Sequence, residues 1–407
     1  MPWSVPGPRT GRDWVRAPAA DTLRARWRLL LAAGEEAERA ALFRPSRSRT
    51  LRTAVAQLPG RPSSTVRLAR EQGPCPEPVP IRHGAFDRQW LLADHRLLDA
   101  ARPELWRVAD DAQLFAVVQE PPGPAVVFSA ELPDGHRPRG RGAVHPLHRR
   151  PGGREANLAP GLTALLAARL GTAVAAEDMA AWIAAVACHP APPHRPGPVA
   201  PPAVPLPADP ALWRRGTALG RRVLWLSTFG ARCADPATDR PAGRPRMPGG
   251  QRPFVRRPVP DTPGGFPEQL AYDAEERALL LGDGRIAPVA AGAWEYRVGG
   301  ERVLEAWFAE RAAAAAGAPP GSLEAVRPAG WPQAWTTELI DLATVLSLLA
   351  ALHGDQAALV RDLAAAPRIG SAELRAAGVL PAPAWAVRPA SVLNHREEGP
   401  DGQFALL

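Results

Sequence analysis

Ten prolines fall between Pro190 and Pro210, and no other stretch of the chain limits the fold as strongly. Each proline lacks an amide hydrogen and locks φ near about −65°. Proline at that density excludes regular helix or sheet and favours extended, polyproline-like chain. The segment therefore divides the sequence into an N-terminal lobe over residues 1–189, a connection over 190–210 and a C-terminal lobe over 211–407. The chain is long enough for each side to bury a core, and 46% apolar residues with 13 tryptophans argue against global disorder. The totals of 49 prolines and 36 glycines require many loops.

Apolar spacing sets the elements around that break. Leu23, Trp27, Leu30 and Leu31 form one stripe, so Asp21–Leu31 reads as a helix capped by Asp21. Leu114–Val118 and Val126–Ala130 read as antiparallel strands, and Gly135–Arg154 reads as a loop. Leu158, Leu162, Leu165, Leu166 and Leu170 recur at helical spacing up to Gly171. Glu177 and Asp178 open a second helix, with Met179, Trp182, Ile183 and Val186 on its apolar face. Beyond the prolines, Val223–Phe229 is a strand candidate. Gly282-Asp283-Gly284 is the turn of a hairpin between Ala278–Leu281 and Arg285–Val289. Trp294, Tyr296 and Val298 alternate with polar residues as in a half-buried strand. A helix follows over Glu301–Ala316, ended by Gly317. Thr336 caps a buried helix over Leu339–Leu352, which is too short and too interrupted to span a bilayer. These elements predict an α+β fold with mixed or antiparallel sheets, segregated helices and two lobes.

The net charge is +8, and arginine supplies all 49 basic residues, because the chain has no lysine. Such a balance points to an anionic partner, nucleic acid first and a membrane surface second. The bland counter-reading is a GC-rich genome, which raises arginine everywhere. Three loop-like stretches concentrate the charge. The first holds Arg44, Arg47, Arg49, Arg52, Arg61, Arg67 and Arg70, interleaved with Ser46, Ser48, Thr50, Ser63, Ser64 and Thr65. The second holds Arg137, Arg139, Arg141, Arg149, Arg150 and Arg154; the third holds Arg240, Arg244, Arg246, Arg252, Arg256 and Arg257. Arginine forks bind phosphate and read guanine edges, and hydroxyls donate to phosphate oxygens. The first stretch is the strongest candidate for DNA contact.

Residues for chemistry are missing. Without lysine no Gly-x-x-x-x-Gly-Lys-Ser/Thr loop exists, which excludes a P-loop motor. An adenine methyltransferase needs a glycine-rich turn for S-adenosylmethionine and an Asn/Asp/Ser-Pro-Pro-aromatic tetrapeptide for the flipped base. Here Pro121-Pro122 lies between Glu120 and Gly123, and Gly282-Asp283-Gly284 reads as a hairpin turn. No nucleophile elbow occurs. Cys188-His189 with His194, or His145 with His148, lack the paired spacing of a structural zinc site and read as solvated loop residues. No catalytic, cofactor or metal residue is assigned. Cys75, Cys188 and Cys233 are too scattered for a disulfide framework, and the N-terminus lacks a signal-peptide core, so a cytoplasmic location is expected.

A more specific pattern runs from Pro288 through Trp294, Tyr296, Val298 and Gly300 to Val303, Leu304, Trp307 and Arg311. It closes with Thr336-Thr337-Glu338-Leu339. In order and spacing it resembles the C-terminal DNA-specificity region of the Type ISP restriction–modification enzymes. Those are single polypeptides that join helicase–nuclease, adenine methyltransferase and target recognition. Supporting matches are Phe86-Asp87-Arg88-Gln89-Trp90, Arg102-Pro103-Glu104-Leu105, Asn157-Leu158-Ala159, Val204-Pro205-Leu206-Pro207, and Leu219-Gly220 through Thr228-Phe229. Together the resemblance spans about residues 40–360. The neighbourhood of Asp94 and Arg96 matches nothing in it. Because the matches bracket the prolines, that segment also reads as a decorated loop inside one recognition region.

The resemblance implies a stand-alone recognition module, non-catalytic by itself. It would bind double-stranded DNA and position a separate methyltransferase or helicase–nuclease subunit. It hands over no contact residues, since Trp294, Tyr296, Trp307 and Leu339 read as core. Two rivals stay open at this point. One is a divergent adenine methyltransferase subunit that binds S-adenosylmethionine. The other is an interaction scaffold that has lost DNA reading.

Overall fold

The computed structural model describes residues 1–61, 66–137, 140–190, 202–238, 240–313 and 318–390, with backbone alone at 137, 140, 141 and 313. The N-terminal part rests on an antiparallel sheet of β1 (Arg16–Ala17), β2 (Pro78–His83) and β3 (Asp87–Leu92), in the order β1-β3-β2. Against it lies α1 (Ala20–Ala32), which buries Leu23, Trp27 and Leu30 as the stripe predicts. Asp21 does not cap this helix. It sits inside the first turn, where a carboxylate also suits the helix dipole, and pairs with Arg24. Next comes α2 (Glu36–Phe43), whose Phe43 joins Trp14, Trp27, Leu91 and Leu98 in a local core that Leu323, far along the chain, helps to close.

The expected antiparallel pair is present as β4 (Phe115–Val118) and β5 (Val126–Ser129); β6 (Ala143–Pro146) and Val5–Pro6 extend it to four strands. The predicted Gly135–Arg154 loop is instead a series of short strands that includes His136–Arg137, β6 and His148–Arg150. Val144 and Leu147 are fully buried there, so the backbone around them must find hydrogen-bond partners, and pairing supplies them. Strands of two to four residues are too short to show a period in the sequence.

Helix α3 (Leu162–Leu170) stops before Gly171 as expected, although Leu158 precedes it. In α4 (Ala176–Ala187) Asp178 accepts from the Ala175 amide at 2.9 Å, tying down the first turn. Most of the Pro190–Pro210 segment lies outside the described residues. Its described end pairs Leu206–Pro207 with Arg368–Ile369, then enters α5 (Pro210–Ser227), with Asp209 as cap and proline at the first position. The Val223–Phe229 strand candidate is the last turn of this helix and the residues after it. Buried neighbours surround that turn, so its apolar run carries no helical period and imitates a strand.

Helices α4 and α5 flank the proline segment and touch backbone to backbone. A Cβ on Gly220 would lie 1.7 Å from the Ala181 carbonyl oxygen, and one on Gly216 would lie 2.2 Å from the Trp182 ring. Trp182 and Trp213 stack at 5.3 Å between centroids. Residues on both sides of the prolines therefore share one core. Gly220→Ala should force the helices apart and cost about 1–3 kcal/mol. Urea unfolding measures this, and an unchanged midpoint would mean the helices are not held so closely.

The C-terminal sheet is antiparallel, made of β7 (Phe254–Arg257), β8 (Leu270–Asp273), β9 (Ala278–Leu281) and β10 (Gly284–Ala287) in the order β7-β10-β9-β8. The expected hairpin turn at Gly282-Asp283 joins β9 to β10, and Gly282 takes φ of 56°. Trp294 is not in a strand. It ends the short helix Ala291–Trp294, and only Arg297–Val298 pairs, with Glu301–Arg302. Helix α6 (Val303–Ala313) starts two residues later than predicted, and the proposed stop at Gly317 lies outside the described residues. Helix α7 (Gln333–Ala365) is longer than expected at 33 residues. Thr336 lies inside it and accepts from Trp331 Nε1 at 2.9 Å instead of capping. By length and composition α7 could cross a bilayer, against the expectation, yet Trp335, Leu339, Leu342, Leu346 and Leu359 bury it in the core. The α+β class with antiparallel sheets is as the sequence predicts.

Candidate nucleic-acid interface

Three sequence segments meet at Arg311, which is 0% exposed. Its Nη1 donates to Asp87 Oδ1 at 2.9 Å and to the Trp307 carbonyl at 3.0 Å, and its Nη2 donates to Glu338 Oε2 at 2.8 Å. The guanidinium lies 3.7 Å from the Trp307 ring centroid and 5.6 Å from that of Trp335. Asp87 opens β3, Arg311 sits on α6 and Glu338 on α7, so this ion cluster locks the N-terminal sheet to the C-terminal helices. Trp294, Tyr296, Trp307 and Leu339 are buried, as read from the sequence.

A second cluster adjoins it. His83 Nδ1 lies 2.6 Å from Asp134 Oδ2, and Nε2 lies 3.4 Å from Glu310 Oε1; Arg16 reaches Glu310 at 3.1 Å. Burial acts to lower the His83 pKa, but the Asp134 and Glu310 carboxylates outweigh it and raise the value to about 9. Glu310 is held well below the usual carboxylate range, since His83 and Arg16 overcome its burial.

Beside the Arg311 cluster opens a cleft of about 1340 Å³, with Phe86, Trp307 and Glu338 among its lining. Helix α7 adds Thr337 and Asp341, and the turn after α5 adds Phe229 and Arg232. Pro59-Gly60-Arg61 of the first arginine stretch, Pro151 of the second and Arg244-Pro245 of the third also border it. Segments far apart in sequence thus converge on one opening. The two acids that α7 contributes are braced: Asp341 pairs with Arg244 at 2.6 Å, and burial pushes the Glu338 and Asp341 carboxyls up against the opposing pull of Arg311 and Arg244.

The candidate arginines differ in how far they are committed. In the first stretch a buried Arg12 clips the loop in place through the Arg44 carbonyl, the Ser46 hydroxyl and Asp99. Arg44 pairs with Glu324 and Arg52 with Glu36; Arg49 donates to the His95 and Ser48 carbonyls; Arg61 lies over the Trp106 ring at 5.9 Å. Arg47, Arg67 and Arg70 are exposed and form no direct ion pair among the described residues. Ser63, Ser64 and Thr65 lie outside those residues. Asp94 and Arg96, which matched nothing in sequence, pair at 2.5 Å, and Arg96 also binds Glu71 at 2.7 Å, so the stretch is stapled to the sheet.

In the second stretch Arg149 and Arg150 are buried and bound by Glu155; Arg149 also donates to the Trp385 and Arg388 carbonyls. A buried guanidinium needs such partners, so these two serve the fold and not an open surface. Arg154 is exposed and turns its Nε to the Pro151 carbonyl. Arg139 lies outside the described residues, as do the side chains of Arg137 and Arg141. In the third stretch Arg240 is buried against the Cys233 carbonyl, while Arg246, Arg252, Arg256 and Arg257 are exposed and form no direct ion pair among the described residues. The third stretch thus carries more uncommitted charge than the first. It also carries Phe254, 52% exposed, which gives no signal of exposure in the sequence because it is an apolar residue next to proline.

The histidines and cysteine expected in solvated loops are placed differently. His148, Cys188 and His189 are buried, and burial lowers His145 to about 4 and pushes the Cys188 thiol up. His194 lies outside the described residues. Among the described residues no three His, Cys, Asp or Glu side chains gather as a metal-binding group.

The Type ISP C-terminal specificity domain matches residues 1–342, and the chain belongs to this family. The match takes in the first 39 residues, which the sequence resemblance left out. The fold is similar to that of DrdV, solved by cryo-electron microscopy as a DNA complex, with TM-score 0.53, 16% identity, and coverage of 89% of this chain and 35% of that one. It is also similar to a nuclease-deletion mutant of the Type ISP restriction-modification enzyme LlaGI in complex with a DNA substrate mimic, with TM-score 0.50, 12% identity and coverage of 88% and 27%. The ATP-dependent Type ISP enzyme LlaBIII bound to DNA gives TM-score 0.54, 11% identity and coverage of 88% and 23%. The chain spans about a third or less of the length of these proteins. Among curated proteins no relative matches.

Proposed function

We propose that this chain is a sequence-specific double-stranded-DNA recognition module of a Type ISP-like restriction–modification system. It acts in the cytoplasm, is not catalytic by itself and needs no cofactor to bind. It positions methyltransferase or helicase–nuclease activity carried by a separate subunit. The observation that carries this reading is the match of residues 1–342 to the specificity-domain family, in a chain that leaves Arg246, Arg252, Arg256 and Arg257 exposed and without a direct ion pair among the described residues. Supporting it, the similar DrdV, LlaGI and LlaBIII structures were solved with DNA or a DNA mimic.

The test is selection from a random duplex library at about 150 mM salt, where phosphate contacts alone hold DNA weakly. An enriched motif is expected. Replacing Arg246, Arg252 and Arg257 together by alanine should weaken binding across all sequences. It should also flatten the dependence of log K on log salt by about 0.9 for each phosphate that is no longer neutralised. Thermal stability should stay unchanged, because these side chains are exposed. Weak binding without an enriched motif would sink the reading in favour of a scaffold, and S-adenosylmethionine binding by calorimetry would favour a methyltransferase subunit.

A further inference from the structure

Among the described aromatic side chains Phe254 and Trp385 stand out as exposed, and Trp385 is engaged by Arg149 through its carbonyl and its ring. Phe254 is met by a cation only at its ring, from Arg256, which is itself exposed. Phe254 opens β7, an edge strand paired on one side only, to β10. The register runs Phe254 to Ala287, Val255 to Ile286 and Arg257 to Arg285, so Arg256 is the unopposed residue of a bulge. A bulge breaks the alternation of a strand and re-aims its side chains. Here Arg256 and Arg257 are consequently both exposed, and the Arg256 guanidinium lies 5.7 Å over the Phe254 ring. Arg252 completes the setting, and no acidic residue occurs between Asp239 and Asp261.

An exposed ring costs solvation unless a partner covers it, and the charge around it selects the partner. A neutral strand or an apolar peptide would leave several guanidinium groups without counter-charge. A polyanion that can open flat, apolar faces between its charges satisfies both the ring and the arginines, and a base-pair step, once unstacked, offers such faces. Apolar side chains that enter a duplex in this way wedge between neighbouring base pairs while arginines hold the flanking phosphates. Arg244 and Pro245, earlier in the same stretch, border the cleft, so the chain runs from the proposed DNA site to this strand within ten residues.

We propose that Phe254 inserts against a base-pair step of duplex DNA, with Arg252, Arg256 and Arg257 on the phosphates beside it. This rests on the DNA-recognition reading above and adds a deformation of the target to it. The full chain would be titrated against its selected duplex carrying 2-aminopurine at successive positions. Wild-type protein should raise the fluorescence at one step, reporting local unstacking. Phe254→Ala should lose that signal and bind about tenfold more weakly, the scale of removing one aromatic–base stack. Phe254→Leu should keep most of both, and neither variant should melt earlier, since the ring is exposed. An enriched motif with wild-type affinity and no unstacking signal would overturn the wedge and leave the recognition reading standing. Tighter binding to a single strand than to the duplex would also overturn it, assigning Phe254 to unpaired bases. Failure of the wild-type chain to bind any duplex would overturn both readings.

Discussion

Arg311→Ala should lower the free energy of unfolding by about 3–5 kcal/mol, the range for removing one partner of a buried ion cluster. Asp87, with its side chain 8% exposed, would lose its direct ion-pair partner in the core, and Glu338 at 31% would lose the partner that orients it. The Trp307 and Trp335 rings would lose the cation that packs on them. Arg311→Lys should recover little, because an ammonium cannot reach both carboxylates with a planar fork. Arg311→Met with Asp87→Asn and Glu338→Gln should recover more, since it removes the stranded charges along with the cation. Urea unfolding of the three variants measures the series. A loss below about 1 kcal/mol for Arg311→Ala would mean that water already screens the cluster and that packing alone holds the segments together.

This cluster also shows what the sequence could and could not convey. Asp87, Arg311 and Glu338 were visible as parts of separate matching segments, but their meeting point was not, because more than 200 residues separate Asp87 from the other two. Apolar periodicity recovered the buried faces of α1 and α4, and glycines recovered the β9–β10 turn, since those signals are local. Misreadings arose where burial is complete or elements are short. The end of α5 is apolar all round and looks like a strand, and the two- to four-residue strands after Gly135 have no room to show alternation.

Arginine placement was the least legible. A guanidinium has the same appearance in sequence whether it faces water or a carboxylate. Glu155 takes up Arg149 and Arg150 from nearby, whereas Glu324 takes up Arg44 from 280 residues away. Only the folded chain shows that the third stretch, ranked below the first in sequence, keeps Arg246, Arg252, Arg256 and Arg257 uncommitted. Exposure of Phe254 was equally hidden, because it depends on β7 being an edge strand, which is a property of the sheet and not of the segment.

Stability should be greatest between about pH 4.5 and 6.5 and should fall on both sides because of the His83 cluster. The ordinary histidine value is 6.5, and in the folded chain His83 titrates at about 9. The folded state therefore holds its proton more tightly than the unfolded state. The stabilisation is fully present below pH 6.5 and is lost as pH rises through 9, to a total of up to about 3 kcal/mol. Glu310 acts on the acid side. Its folded value lies below the ordinary 4.5, so its contribution is present above pH 4.5 and fades as the pH falls. The groups facing His83 pull in both directions, and the two carboxylates decide the sign. Asp134 and Glu310 favour its charged form, Arg16 opposes it, and His136, its ring tilted against that of His83 at 4.4 Å between centroids, has its own pKa lowered by burial and by the charge on His83. Urea unfolding from pH 5.5 to 9.5 should show the alkaline decline in the wild type and a nearly flat profile in His83→Gln. An equal slope in the variant would assign the decline to another group and reduce the cluster to a pH-independent hydrogen-bond network.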